Sequence, residues 1–200
     1  SRRLLPLLEP FDPCFVEEPC LPDGSAHHLR DLQQLHLEQR IPLATGERLL
    51  TKREFADHLF PSPVVAVIQP DLSLVGGIRA GVEIGAMCEV AQVALAPHCP
   101  YGPIQFAASL QVAAASPAHV FQEFQSLGGA AGGGTPGGGA SWAFDLLASP
   151  FKVSDSMVEV TSKPGLGIDV QDHLIEEHAD AWNPHPPSLW HHPDGSHAEW

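Results

Sequence analysis

Five polar side chains in this sequence could do chemistry together, because each one follows directly after a short apolar run. These residues are Glu17, Glu47, Asp71, His98 and Glu123. Carboxylates gathered in one place are the hard oxygen ligands that Mg²⁺ prefers, and a histidine beside an aspartate is the usual arrangement of a general base. A divalent cation next to such a base suits removal of a proton alpha to a carboxylate, because the cation stabilises the ene-diolate that forms.

The apolar runs that precede these residues alternate with segments of helical periodicity. Strands are predicted at 14–16, 41–45, 64–68, 93–96 and 120–121, and helices at 26–38, 51–59, 77–92 and 104–115. This alternation predicts a parallel sheet covered by helices. The carboxyl ends of parallel strands share one edge, so the five side chains are expected to converge there. About five strands are too few for a closed barrel of eight.

Simpler interpretations of the same residues remain open at this point. A single carboxylate after a strand is more often a helix cap or a solvated turn. Glu18 neighbours Glu17, and we treat it as a supporting or structural residue rather than a metal ligand. The histidines between His173 and His197 have no cysteine beside them and fit no zinc-finger spacing, so zinc is not favoured.

The composition narrows the class of protein. The 200 residues are 44% hydrophobic and 17% charged, which is typical of a globular domain. The formal net charge of -14 argues against a nucleic-acid or anionic-membrane partner, and no apolar run reaches the roughly 20 residues of a membrane helix. The four cysteines form no CxxC pair, which favours reduced thiols inside the cell. We expect a cytoplasmic protein, although a targeting segment ahead of Ser1 stays open.

Several ordered motifs carry a resemblance to a known family. They are FVEEP at 15–19, IPLATGERL at 41–49, IQPD at 68–71 with GGI at 76–78, APHCP at 96–100 with GPI at 102–104, QE at 122–123 with QSLG at 125–128, TSKPGLG at 161–167 and WHHPDGSHAEW at 190–200. In this order they resemble the galactonate dehydratases, in the mandelate racemase subgroup of the enolase superfamily.

The resemblance implies an α/β fold that is a partial TIM (β/α) barrel. It implies about strands 4 to 8 of the enolase-superfamily barrel, followed by a C-terminal tail. Residues 1–127 would be the barrel part, 128–141 a glycine-rich loop insertion, and 142–200 a tail that packs on the barrel and on a capping domain.

The resemblance also implies a role for each of the five residues. Glu17 and Glu47 would be two of three Mg²⁺ ligands. His98 would be the general base, Asp71 its partner, and Glu123 a hydrogen-bond partner of the substrate carboxylate. The reaction would be that of a hydro-lyase, in which a galactonate-like aldonate loses water to give a 2-keto-3-deoxy acid. The full-length protein is expected to be a homo-oligomer with this small molecule as its partner.

Departures from the family pattern leave alternatives open. The third metal ligand and the general acid of these dehydratases belong to the third strand, before this chain begins, and the capping domain is absent. Residues 129–139 replace a more polar stretch of the family. A non-catalytic truncated remnant therefore stays an alternative, as does a racemase or another dehydratase of the superfamily.

Overall fold

The centre of the molecule is a four-stranded parallel sheet whose strands lie side by side in chain order. The computed structural model describes residues 3–20, 26–38, 40–124, 145–179, 190–191, 194–195 and 197–198. The strands of the sheet are β1 (Val16–Glu17), β2 (Leu43–Thr45), β3 (Val67–Ile68) and β4 (Ala94–Leu95). Beyond β4, His119 forms a single parallel bridge to Leu95, which continues the order of the sheet by one position.

Helices connect the strands and cover one face of the sheet. They are α1 (Leu5–Leu8), α2 (Ala26–Glu38), α3 (Lys52–Leu59), α4 (Leu72–Val75), α5 (Ile78–Ala91) and α6 (Pro103–Ala115). Thr51 begins α3 with a capping box, since its hydroxyl accepts from the Glu54 N–H while the Glu54 side chain accepts from the Thr51 N–H. Pro103 lies in the first turn of α6, where its missing N–H costs nothing.

Alternate residues of each strand face opposite sides of the sheet. Leu43, Ile68 and Leu95 face the helices and belong to the main core, together with the buried Phe55 and Ile84. Burial of these apolar side chains is the main favourable term that holds the helices on the sheet.

The opposite face of the sheet corresponds to the inside of a barrel. Ala44, Val67 and Ala96 form a small buried cluster there, with Phe15 packed against it. Glu17 pairs in register with Ala44, and Ala44 pairs with Val67. Glu17 therefore projects from the inner face at the carboxyl end of its strand.

The tail adds small elements of its own. Two hairpin-like pairs are antiparallel, β5 (Val153–Ser154) with β6 (Met157–Val158) and β7 (Trp190–His191) with β8 (His197–Ala198). One helix, α7, spans Asp172–His178. The predicted glycine-rich loop at 128–141 lies outside the described residues.

The predicted helices and the parallel sheet are confirmed, and two details are wrong. The predicted strand at 120–121 is absent from the described structure, because pairing is confined to the bridge at His119. The strands are also shorter than predicted, and Glu17 lies within β1 rather than after it. Across the described ranges, no helix is both long enough and apolar enough to span a membrane.

Candidate active site

The parallel sheet brings the predicted residues to one edge. Glu17 is the last residue of β1, and Glu47 comes two residues after β2. Asp71 is the N-cap of α4 just after β3, and His98 follows β4 at the same end. Glu123 follows the bridge at His119 and reaches the loop that carries His98, as described below. The carboxyl ends of parallel strands are the usual place for a site in α/β folds.

Asp71 and His98 form a hydrogen-bonded pair. Asp71 has no exposed surface, and its Oδ2 lies 2.9 Å from His98 Nδ1. The other carboxylate oxygen, Oδ1, accepts from the Ser73 N–H at 2.7 Å and from Gln105 Nε2 at 2.9 Å. An ionised carboxylate can only accept, so Nδ1 carries the proton of this hydrogen bond, and in the neutral form of the imidazole Nε2 keeps its lone pair.

The second nitrogen of His98 faces the next carboxylate along the edge. His98 Nε2 lies 3.5 Å from Glu47 Oε2, and Glu47 Oε1 lies 3.5 Å from Arg48 Nε. The side chains of His98 and Glu47 are 15% and 22% exposed. The basic nitrogen is therefore held at the rim beside a carboxylate, partly open to an incoming molecule.

Glu17 lies in the same group of negative charges. Gln69 Nε2 donates to Glu17 Oε1 at 3.0 Å. The pKa of Glu17 is raised, first because its carboxylate is partly withdrawn from water and then because Glu47 and Glu123 are close. Glu17, Glu47 and Glu123 place negative charges close together, and a bound cation would relieve their repulsion.

Glu18 contacts the end of β2 and the start of the loop that follows it. Its Oε1 accepts from the Thr45 hydroxyl and from the Gly46 N–H at 3.2 Å, and its Oε2 lies 3.7 Å from Arg48 Nε. The Glu18 side chain is 8% exposed, and burial is the main reason that its pKa is raised. These contacts give Glu18 a structural role between β1 and β2.

Glu123 connects the segment that follows the bridge at His119 to the loop that carries His98. Its Oε2 accepts from the Cys99 N–H at 2.7 Å. Together with Glu17 and Gln69 it lines a cavity of about 330 Å³. The other residues of the lining are Cys14, Phe15, Ala96, Phe121 and Gln122. Glu123 is thus fixed at the wall of a mostly apolar cavity into which two carboxylates, Glu17 and Glu123, bring polar groups.

The arrangement of base, carboxylates and parallel sheet agrees with one family of enzymes. A family model described as "Enolase C-terminal domain-like" matches residues 1–174. The chain belongs to the enolase C-terminal domain-like family. The fold is accordingly an α/β partial TIM barrel, which confirms the fold class that the sequence predicted.

The curated relatives of this enolase-family chain include galactonate dehydratases. It is 38% identical to a D-galactonate dehydratase of Xanthomonas euvesicatoria pv. vesicatoria (strain 85-10), over 100% of the chain and 50% of the relative. The chain therefore spans about half the length of the curated relative that it matches. The sequence resemblance to galactonate dehydratases is confirmed.

Solved structures show the same fold. A mandelate racemase/muconate lactonizing enzyme from Sulfitobacter sp. matches with 35% identity and a TM-score of 0.74, over 88% of this chain and 40% of that one. L-Talarate dehydratase from Polaromonas sp. JS666, complexed with Mg and L-glucarate, matches with 25% identity and a TM-score of 0.66, over 90% and 42%.

The donor atoms of this enolase-family chain fit part of a metal site. Glu17 and Glu47 offer two hard carboxylates at one edge, and the proximity of Glu47 adds to burial in raising the pKa of Glu17. Within the ranges that the structure describes, no group of three His, Cys, Asp or Glu side chains is placed to hold a metal ion. Glu17 and Glu47 are therefore two candidate ligands, one fewer than the three protein ligands that the family resemblance implies.

Sequence reasoning missed the amide side chains that support the site. Gln69 holds Glu17, and Gln105 holds Asp71. Gln69 directly follows a predicted strand, as the five predicted residues do, and that position could have suggested it. Gln105 lies inside a predicted helix, where no local pattern marks it.

Proposed function

We propose that this chain provides the general base and two metal ligands of a Mg²⁺-dependent hydro-lyase that removes water from a galactonate-like aldonate. The observation that carries the proposal is the contact of His98 with Asp71 on one side and Glu47 on the other. The 38% identity to a D-galactonate dehydratase supports the choice of substrate class.

In this proposal His98 takes the proton alpha to the substrate carboxylate. Its Nε2 is the nitrogen that can accept, because Nδ1 donates to Asp71. The imidazolium that forms is stabilised by the buried Asp71 carboxylate, whose position is fixed by the Ser73 N–H and Gln105. The electron pair of the C–H bond enters the ene-diolate, which then expels the β-hydroxyl as the C–O bond breaks. The hydroxyl leaves as water with a proton from a general acid, and the enol that remains tautomerises to the 2-keto-3-deoxy acid, while the proton on Nε2 returns to solvent.

Glu17, Glu47 and Glu123 would bind the charged end of the substrate. Glu17 and Glu47 would hold Mg²⁺, with the remaining ligand coming from another part of the protein. When bound, the cation stabilises the negative charge that develops on the substrate carboxylate. Glu123, anchored by the Cys99 N–H, would in its protonated form donate a hydrogen bond to that carboxylate.

An assay of the protein that contains this chain against a panel of aldonates tests the proposal. We expect a 2-keto-3-deoxy acid from galactonate or a close relative, loss of turnover in EDTA, and recovery with Mg²⁺. Turnover that persists in EDTA would contradict the metal's role. Folded protein with no turnover would favour the non-catalytic remnant, and exchange of the alpha proton without loss of water would favour a racemase.

The remaining expectations are part of the same proposal. The partner is a small aldonate, and the full-length protein is a homo-oligomer in the cytoplasm. Size-exclusion chromatography with light scattering of the full-length protein measures the oligomeric state directly. A monomer at micromolar concentration would contradict the expected assembly.

A further inference from the structure

Gln105 contacts both members of the Asp71–His98 pair. It lies in the first turn of α6, which begins at Pro103. Its Nε2 donates to Asp71 Oδ1 at 2.9 Å and lies 3.4 Å from the carbonyl oxygen of His98. Its Oε1 accepts from the Tyr101 N–H at 3.1 Å. One amide therefore contacts the buried carboxylate, the backbone of the base, and the loop that carries the base.

Asp71 depends on few donors for its orientation. Oδ2 is occupied by His98, and Oδ1 receives the Ser73 N–H and Gln105. The Ser73 contact is a local cap of α4 and fixes one oxygen. Of the two donors to Oδ1, Gln105 is the one that comes from a different element, so it resists rotation of the carboxylate toward or away from His98.

We propose that Gln105 is a positioning residue, which fixes the Asp71 carboxylate and the His98 loop so that His98 Nδ1 stays bonded and Nε2 stays directed at the substrate. The part of this inference that concerns turnover rests on the proposed function. Loss of the amide leaves Asp71 buried but able to rotate, and it releases the Tyr101 N–H from its acceptor. His98 then samples orientations in which Nε2 is not aligned.

Two substitutions separate the contacts of Gln105. Gln105→Met keeps the length and most of the shape of the side chain and removes both the donor and the acceptor. Gln105→Glu keeps an oxygen for the Tyr101 N–H and removes the donor to Asp71. Gln111→Met on the same helix is the matched control, because Gln111 is partly exposed and lies outside the site.

The first readout needs no substrate. In ¹⁵N-histidine NMR of the protein that contains this chain, His98 Nδ1 should carry the proton in the wild type, with the signal assigned by its loss in His98→Asn. We expect Gln105→Met to give a mixture of the two tautomers and Gln111→Met to leave the signal unchanged. An unaltered His98 tautomer in correctly folded Gln105→Met and Gln105→Glu would overturn the inference.

The second readout is kinetic. We expect kcat to fall about tenfold in Gln105→Met, with KM within about twofold, because the lost hydrogen bond goes to a charged group. Gln105→Glu should lose at least as much at pH 8, since it places a second carboxylate against Asp71. If Gln105→Glu retained wild-type kcat, loop anchoring alone would explain the residue and the inference would be wrong. If the wild type dehydrates no aldonate, the proposed function fails, while the tautomer result still decides the inference.

Discussion

Asp71 and His98 are 27 residues apart in the chain, and Asp71 Oδ2 lies 2.9 Å from His98 Nδ1. The contact exists because β3 and β4 are adjacent parallel strands and both residues follow their carboxyl ends. Asp71 is buried and hydrogen-bonded through both oxygens, so the carboxylate is oriented before any substrate arrives. Such pre-organisation is what a general base requires.

Replacement of Glu17 should stabilise the fold while it weakens cation binding. Glu17 has a folded-state pKa above its ordinary value of 4.5. Its ionisation is therefore harder in the folded chain than in the unfolded chain, and stability is lost as pH rises from about 4.5 through the raised value. We expect Glu17→Gln to raise the Tm at pH 7.5 in EDTA.

The control for this prediction is Glu159→Gln, which changes an exposed carboxylate far from the site in sequence. Thermal unfolding followed by circular dichroism should show no change in Tm for the control. Added Mg²⁺ should raise the Tm of the wild type and have less effect on Glu17→Gln. A lower Tm of Glu17→Gln in EDTA would contradict the crowding of negative charge around Glu17.

Gly46 is required by a close approach of two backbone segments. It has a φ of +137°, and a Cβ placed there would lie 2.8 Å from the Gln69 backbone nitrogen. Gly77 also has a positive φ, +83°, but a Cβ there would meet no atom within 4 Å. We expect Gly46→Ala to lose about 2 kcal/mol more stability than Gly77→Ala in urea unfolding, because it adds a clash to the backbone strain. Equal losses of unfolding free energy for the two variants would show that the backbone strain of the positive φ, and not the clash, determines the cost.

His58 should make the fold less stable in mild acid. It is 4% exposed, its Nδ1 lies 2.8 Å from the Glu54 carbonyl oxygen, and its Nε2 has no hydrogen-bond partner in the described structure. Burial, with a contribution from the nearby His28, lowers the pKa of His58 below 6.5. The unfolded chain binds the proton more tightly, so stability falls as pH drops from about 6.5 through the lowered value.

Substitution of His58 by leucine should remove its part of this acid sensitivity. Urea unfolding between pH 7 and pH 5 should show a smaller loss of unfolding free energy for His58→Leu than for the wild type. His173→Leu is the control, because His173 is exposed on α7. If the unfolding free energy of His58→Leu depended on pH as that of the wild type does, the acid sensitivity would belong to other groups.

The sequence was sufficient for features that are encoded locally. The capping pattern of Thr51 and Glu54 predicted the start of α3, and alternation of apolar runs with helices predicted the parallel sheet. The position of Asp71 and His98 after successive strands predicted that they would meet. In each case the physical cause lies within a few residues or in a regular topology.

Other features depend on contacts between distant segments. The bond from Gln69 to Glu17 spans 52 residues, and the bond from Gln105 to Asp71 spans 34. No periodicity specifies such side-chain partners. The strand predicted at 120–121 failed for a related reason. The Val120 N–H donates to the Leu95 carbonyl oxygen as part of the bridge at His119, but the described structure has no second bridge beyond it, and the Val120 and Phe121 side chains are 48% and 55% exposed. Local β propensity does not determine how far two distant segments stay paired.

Exchange of the alpha proton of an aldonate in D₂O tests the central claim, that His98 is the base, most directly. The measurement compares wild-type protein with His98→Asn, an amide that can still bond to Asp71, and follows deuterium incorporation and dehydration by NMR. We expect His98→Asn to lose at least about a hundredfold in both rates, while Mg²⁺ affinity by calorimetry stays within about threefold. Undiminished exchange and dehydration by folded His98→Asn would contradict the account.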